Sequence, residues 1–66
     1  MGQKIKELRK AKKITQVEMA KKLGVFEGCI TGWEQDRFYP TLFNCILLAD
    51  YFGVSLDELC CREYKD

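Results

Sequence analysis

Apolar residues recur along this chain at helical spacing in five separate runs, and each run is bounded by residues that start or stop a helix. Ile5, Leu8 and Ala11 fall on one face of a helix predicted over residues 2–12, with lysines turned outward. Met19, Ala20 and Leu23 make the next stripe. Thr15 stands three residues before Glu18, the spacing of a capping box, and Gly24 closes the run in the left-handed conformation that glycine enters without steric penalty. In the third run Ile30 and Trp33 face inward, and Phe26 as N-cap puts Val25 and Ile30 at the two positions of a hydrophobic staple. Pro40 biases Tyr39 toward extended geometry at the end of a loop that starts at Asp36. Thr41 caps a fourth helix over residues 42–52, whose inward stripe is expected to be Leu42, Cys45, Leu48, Ala49 and Phe52, with Gly53 as the stop. Ser55 and Glu58 repeat the capping-box spacing before a short fifth helix expected to bury Leu56 and Leu59. The stretch from Cys60 to Asp66 has no periodicity and is expected to fray.

Five helices with short connections leave no room for a sheet, so the expected fold is an all-α five-helix bundle. Its domain spans residues 1–60, with a short C-terminal tail at 61–66. Within it, residues 15–40 read as a capped helix, a glycine turn, a second short helix and a proline, which is the order of a helix-turn-helix. The periodicity of the second of these helices turns Glu27, Gly28, Thr31, Gly32 and Gln35 outward as one surface. On the fourth helix Phe43, Leu47 and Tyr51 recur on a face that the core stripe does not use, with Ile46 between the two faces. An exposed apolar stripe of this kind marks an interaction surface, read here as a homodimer interface; the competing occupant is the tail folding back, with Tyr64 as its one sizeable apolar residue.

Composition narrows the chemistry. Sixty-six residues make one domain, and a chain this short buries only about 60% of the surface its unfolded form exposes. The net charge of +1 conceals a basic half, +6 through Lys22, and an acidic half, −5 from Leu23 onward. A basic half of that size can supply the footprint of a nucleic-acid binder, although a solvated lysine face has the same signature. The sequence has four cysteines but neither a signal peptide nor an apolar run that would span a membrane, so a cytoplasmic protein with reduced thiols is expected. It has no histidine, which excludes a Ser-His or Cys-His nucleophile pair, and an enzyme is not expected. Gly24, Gly28 and Gly32 do not form a phosphate loop, because no strand precedes them and no Gly-Lys-Ser/Thr follows. Cys60 and Cys61 lack the spacing of a zinc site, Cys45 reads as a core residue and Cys29 as a near-core one. No metal, cofactor or small-molecule effector is expected.

Thr15-Gln16, Met19-Ala20, Gly24-Val25-Phe26, Ile30-Thr31, Trp33-Glu34 and Pro40, with Ile5, Leu8 and Arg9 upstream and Leu48 to Leu59 downstream, closely resemble the Cro/C1-type (XRE) helix-turn-helix family of transcriptional regulators. The resemblance covers nearly the whole chain and implies a lambda-repressor-like fold and sequence-specific binding to double-stranded DNA, as a repressor. It implies that Gln16 contacts a phosphate and that Glu27, Gly28, Thr31 and Gly32 occupy the base-reading positions of a recognition helix in the major groove. Gln35, Arg37 and Phe38 fall at its backbone-contacting end, and Arg9 pairs with Glu34 as a structural ion pair. The sequence departs from the family pattern at Phe26, where a Ser or Thr cap is usual, at Asp36, where the loop glycine is usual, and at the two glycines among the base-reading positions. A second reading from another class is a helix-turn-helix scaffold acting through protein contacts, antitoxin-like or an adaptor subunit, with weak DNA binding.

Overall fold

The computed structural model describes residues 1–60, in which five helices follow one another: α1 (Gly2–Ala11), α2 (Gln16–Leu23), α3 (Glu27–Glu34), α4 (Leu42–Phe52) and α5 (Leu56–Cys60). The arrangement is the lambda-repressor-like bundle, with α2 and α3 as the helix-turn-helix.

Side-chain caps fix three of the helix starts. At α2 the Thr15 hydroxyl accepts from the Glu18 amide at 3.1 Å and the Thr15 amide donates to Glu18 Oε1 at 2.9 Å, so both halves of the box form. The Thr15 amide, and then its hydroxyl, hold the Glu18 carboxyl below its ordinary value. The stability gained from that charge is therefore present above the ordinary glutamate range and fades as pH falls through the lowered value. Thr41 accepts from the Asn44 amide at 3.2 Å to start α4. At α5 the second box is half made: Ser55 accepts from the Glu58 amide at 3.0 Å, while the Glu58 carboxylate lies 3.6 Å from Lys4 Nζ on α1.

The first four helices stop in the same way. A single left-handed residue follows each one, Lys13 (φ 59°), Gly24 (φ 72°), Asp36 (φ 57°) and Gly53 (φ 68°). The next amide then reaches back five residues: Ile14 to the Arg9 carbonyl, Val25 to Ala20, Arg37 to Gly32 and Val54 to Ala49. Each stop satisfies a carbonyl that the helix end would leave open. Ile14, Val25 and Val54 also press their side chains against the core. Glycine takes this conformation freely at Gly24 and Gly53, whereas Lys13 and Asp36 adopt it at a cost of about 1 kcal/mol each. Asp36 offsets the cost, since its Oδ1 accepts from the Gly2 amide at 3.1 Å and so places a carboxylate at the N-terminus of α1, where Met1 makes no side-chain cap. Gly2 itself is buried, and a Cβ there would overlap the carbonyl oxygens of Trp33 and Glu34. This close approach seats α1 on the end of α3.

All five helices feed one core: Ile5 from α1, Met19 and Ala20 from α2, Ile30 and Trp33 from α3, Cys45, Leu48 and Ala49 from α4, and Leu59 from α5. Burial, and then the neighbouring Cys60 thiol, raise the Cys45 thiol above its ordinary value, so it stays protonated and points at the Pro40 carbonyl at 3.7 Å. Three residues expected inside are not there. Leu42 is 71% exposed, because it is the first residue of α4 and buried Pro40 closes the core ahead of it. Leu56 is exposed because α5 is little more than one turn, and one turn directs one residue, Leu59, inward. Ala11 is exposed at the end of α1.

The second stripe on α4 also shifts. Leu47 is half-buried, and Tyr51 packs against the core with its ring edge-on to Phe52 (5.1 Å) and Lys12 Nζ 5.0 Å from its centroid. The exposed face instead carries Leu42, Phe43 and Ile46, preceded by Tyr39.

Two substitutions separate the strain at the helix stops from the capping that offsets it. Lys13→Gly relieves a left-handed side chain that has no compensating contact and is expected to raise stability by up to about 1 kcal/mol in urea unfolding. Asp36→Gly relieves the same strain but deletes the α1 cap, so it is expected to gain nothing or lose; equal gains for both would show that the carboxylate does not matter.

Candidate nucleic-acid interface

The second helix of the helix-turn-helix is α3, and a chain of polar contacts through Glu34 sets its orientation. Glu34 is the last residue of α3, with its side chain only 3% exposed. Arg9 meets it with two prongs, Nε to Oε2 at 2.6 Å and Nη2 to Oε1 at 3.2 Å, while Arg9 Nη1 donates to the Ile14 carbonyl at 2.9 Å. The planar guanidinium is suited to this double contact, which a lysine could not reproduce. Gln16, the first residue of α2, donates from Nε2 to Glu34 Oε1 at 3.0 Å, and its Oε1 accepts from the Thr31 hydroxyl at 3.0 Å. A carboxylate only accepts, so the Gln16 amide nitrogen faces it and the amide oxygen is left to accept from the Thr31 hydroxyl, whose other acceptor within reach is the Glu27 carbonyl at 3.3 Å. α1, α2 and α3 are thereby joined at one point.

The site residues expected from the sequence divide into three groups. Glu27, Gly28, Gln35 and Arg37 are exposed along α3 and just past its end, and a Cβ built on Gly28 would meet nothing within 4 Å. Gln16 and Thr31 are half-buried and engaged with each other. Gly32 corrects the expectation of an outward position: it is buried, and a Cβ there would overlap the ring of Phe38, which folds back over the helix. Phe38 therefore occupies the surface that a side chain at Gly32 would have presented, and keeps about half of its own surface exposed.

One exposed aromatic beside these residues was not among those expected from the sequence. Phe26 is the N-cap of α3, gives it no side-chain hydrogen bond, and is 85% exposed. The signal was present as a departure from the usual capping residue, but exposure could not be read from an apolar position set between the two staple residues, Val25 and Ile30.

Among the described residues there is no group of three or more His, Cys, Asp or Glu side chains that could hold a metal, and no helix long and apolar enough to cross a membrane.

A helix-turn-helix family model matches residues 5–59. The chain is 33% identical over 58 residues to the transcriptional activator BcrR of Enterococcus faecalis, a match covering 88% of this chain and 28% of BcrR. It is 32% identical over 59 residues to the immunity repressor protein of Bacillus phage phi105, covering 89% of this chain and 41% of the repressor. It is 34% identical over 59 residues to the uncharacterised HTH-type transcriptional regulator MJ0272 of Methanocaldococcus jannaschii, covering 89% of each chain. No solved structure matches the chain at a significant level. The chain belongs to the helix-turn-helix family of DNA-binding transcriptional regulators. It spans well under half the length of BcrR and of the phage repressor.

The junction at Glu34 makes a direct prediction. Glu34→Ala strands the Arg9 charge and frees Gln16, and is expected to cost about 3 kcal/mol in urea unfolding. Arg9→Lys is expected to recover only part of the loss that Arg9→Ala produces. A cost for Glu34→Ala no larger than that of the exposed Glu7→Ala would mean the junction does not hold the helices.

Proposed function

We propose that this chain is a Cro/C1-type (XRE) regulator that binds double-stranded DNA sequence-specifically in the cytoplasm and acts as a repressor, with α3 in the major groove. The observation that carries this reading is the exposed outer surface of α3, held at a fixed attitude by the Arg9, Glu34, Gln16 and Thr31 contacts. Glu27 and Gly28 then face base edges, Gln35 and Arg37 reach the phosphate backbone, and Phe38 packs beside the backbone over Gly32. Gln16 uses one of its two amide protons on Glu34; the second is available for a phosphate at the α2 N-terminus. Thr31 contributes its methyl, and the hydroxyl when the bond to Gln16 is exchanged for one to a base.

The protein-scaffold reading keeps one specific support. Side chains that read bases are sparse on α3, because Gly28 has none and Gly32 is covered. The two readings part on salt. Phosphate neutralisation gives a steep fall of affinity with ionic strength, and Arg37→Ala is expected to weaken binding to all sequences and reduce the slope by about one. A slope unchanged by Arg37→Ala would remove Arg37 from the interface, and no measurable DNA binding by the parent protein would leave the scaffold reading.

The proposed homodimer moves with the corrected surface. Leu42 and Phe43, at 71% and 68% exposed, lie with Ile46 and Tyr39 on the outer side of α4 and its approach, where a second copy would cover them. Leu47 and Tyr51 flank this face rather than form it. Two-fold pairing there would present two α3 helices to successive major grooves, about 34 Å apart. Sedimentation of Phe43→Glu beside the parent is the check: the parent is expected to run as a dimer and the variant as a monomer.

A further inference from the structure

Phe26 is placed where the fold has no use for it. The ring does not join the core, which takes Val25 and Ile30 from either side of it. At the N-cap it leaves the first turn of α3 without the hydrogen bond that Ser, Thr, Asp or Asn would give. An aromatic that contributes neither packing nor capping, yet stays 85% exposed beside the free first turn of the recognition helix, is a contact waiting for a surface.

The chemistry of that surface is narrow if α3 enters the major groove as proposed above, a docking on which this assignment depends. Phenylalanine has no polar atom, so it cannot take part in the donor and acceptor pattern of the base edges. The major groove presents one apolar group to such a side chain, the C5-methyl of thymine. Gly28, two residues on, adds no side chain to the first turn of α3, and the position its Cβ would take has no neighbour within 4 Å. A base-pair edge can therefore approach the helix backbone closely at that position, two residues from the ring. Glu27, adjacent and exposed, accepts hydrogen bonds only, and so favours a cytosine or adenine amino group near by.

We infer that Phe26 is a specificity-determining residue that reads a thymine methyl in the bound site. The departure from a capping residue is then a change of function at that position, from holding the helix start to selecting a base.

The test begins with DNA duplexes selected by the full chain from a random pool, in which each thymine of the bound site is then replaced in turn by uracil, which lacks only the methyl. For the parent protein, uracil at one thymine of each half-site is expected to weaken binding about fourfold, the worth of one apolar methyl contact. Phe26→Ser is expected to bind the thymine and uracil duplexes equally at that position. Its thermal midpoint is expected to rise, because serine restores the cap, so lost selectivity cannot be ascribed to a damaged fold. If the parent binds but tolerates uracil everywhere, or if Phe26→Ser keeps the same uracil penalty, the assignment is overturned while DNA binding stands. If the parent selects no duplex at all, the docking of α3 fails and the assignment fails with it.

Discussion

A carboxylate removed from water has to be met by charge, and in this protein that requirement falls on Glu34. It ends α3, where the helix dipole is already negative and no basic residue lies in the last turn. Left alone, it would oppose both burial and the dipole. The Arg9 guanidinium answers the carboxylate and the helix end together, and its third contact, to the Ile14 carbonyl, ties the connection between α1 and α2 into the same point. Gln16 extends the junction to the start of α2 and through Thr31 to the outer side of α3. The relative placement of three helices thus depends on one desolvated charge. Among the described residues no buried polar side-chain atom lacks a partner, so the junction leaves no compensating debt elsewhere.

The glycines illustrate how one residue type serves different physical needs. Gly24 and Gly53 supply left-handed geometry at helix stops, and Gly2 lets the start of α1 touch backbone oxygens at the end of α3. Gly32 makes room for the Phe38 ring, whereas Gly28 makes room for nothing among the described residues. That contrast leaves the first turn of α3 bare except for Glu27 and the exposed ring of Phe26. With α3 docked as proposed, such a surface would discriminate by close approach and a few contacts, not by a dense row of side chains.

The placement of α4 shows why its apolar pattern was ambiguous. Its sequence, LFNCILLADYF, is apolar on nearly every side, and a helix of that kind has no single stripe from which burial can be read. Both Leu42 and Tyr51 fitted a face by spacing; the core accepted Tyr51 and left Leu42 outside.

What the sequence by itself determined is local. The starts at Thr15, Thr41 and Ser55, the stops at Gly24 and Gly53, and the order of five helices each rest on residues within about one turn of one another, and short-range hydrogen bonding and sterics settle them. What only the tertiary structure decided is which equivalent surface is covered. Asp36 caps a helix start 34 positions away, Gln16 is drawn inward to Glu34 over 18, and the ring of Phe38 rather than solvent lies over Gly32. Periodicity specifies that a face exists; occupancy of that face is set by residues brought together only when the helices pack.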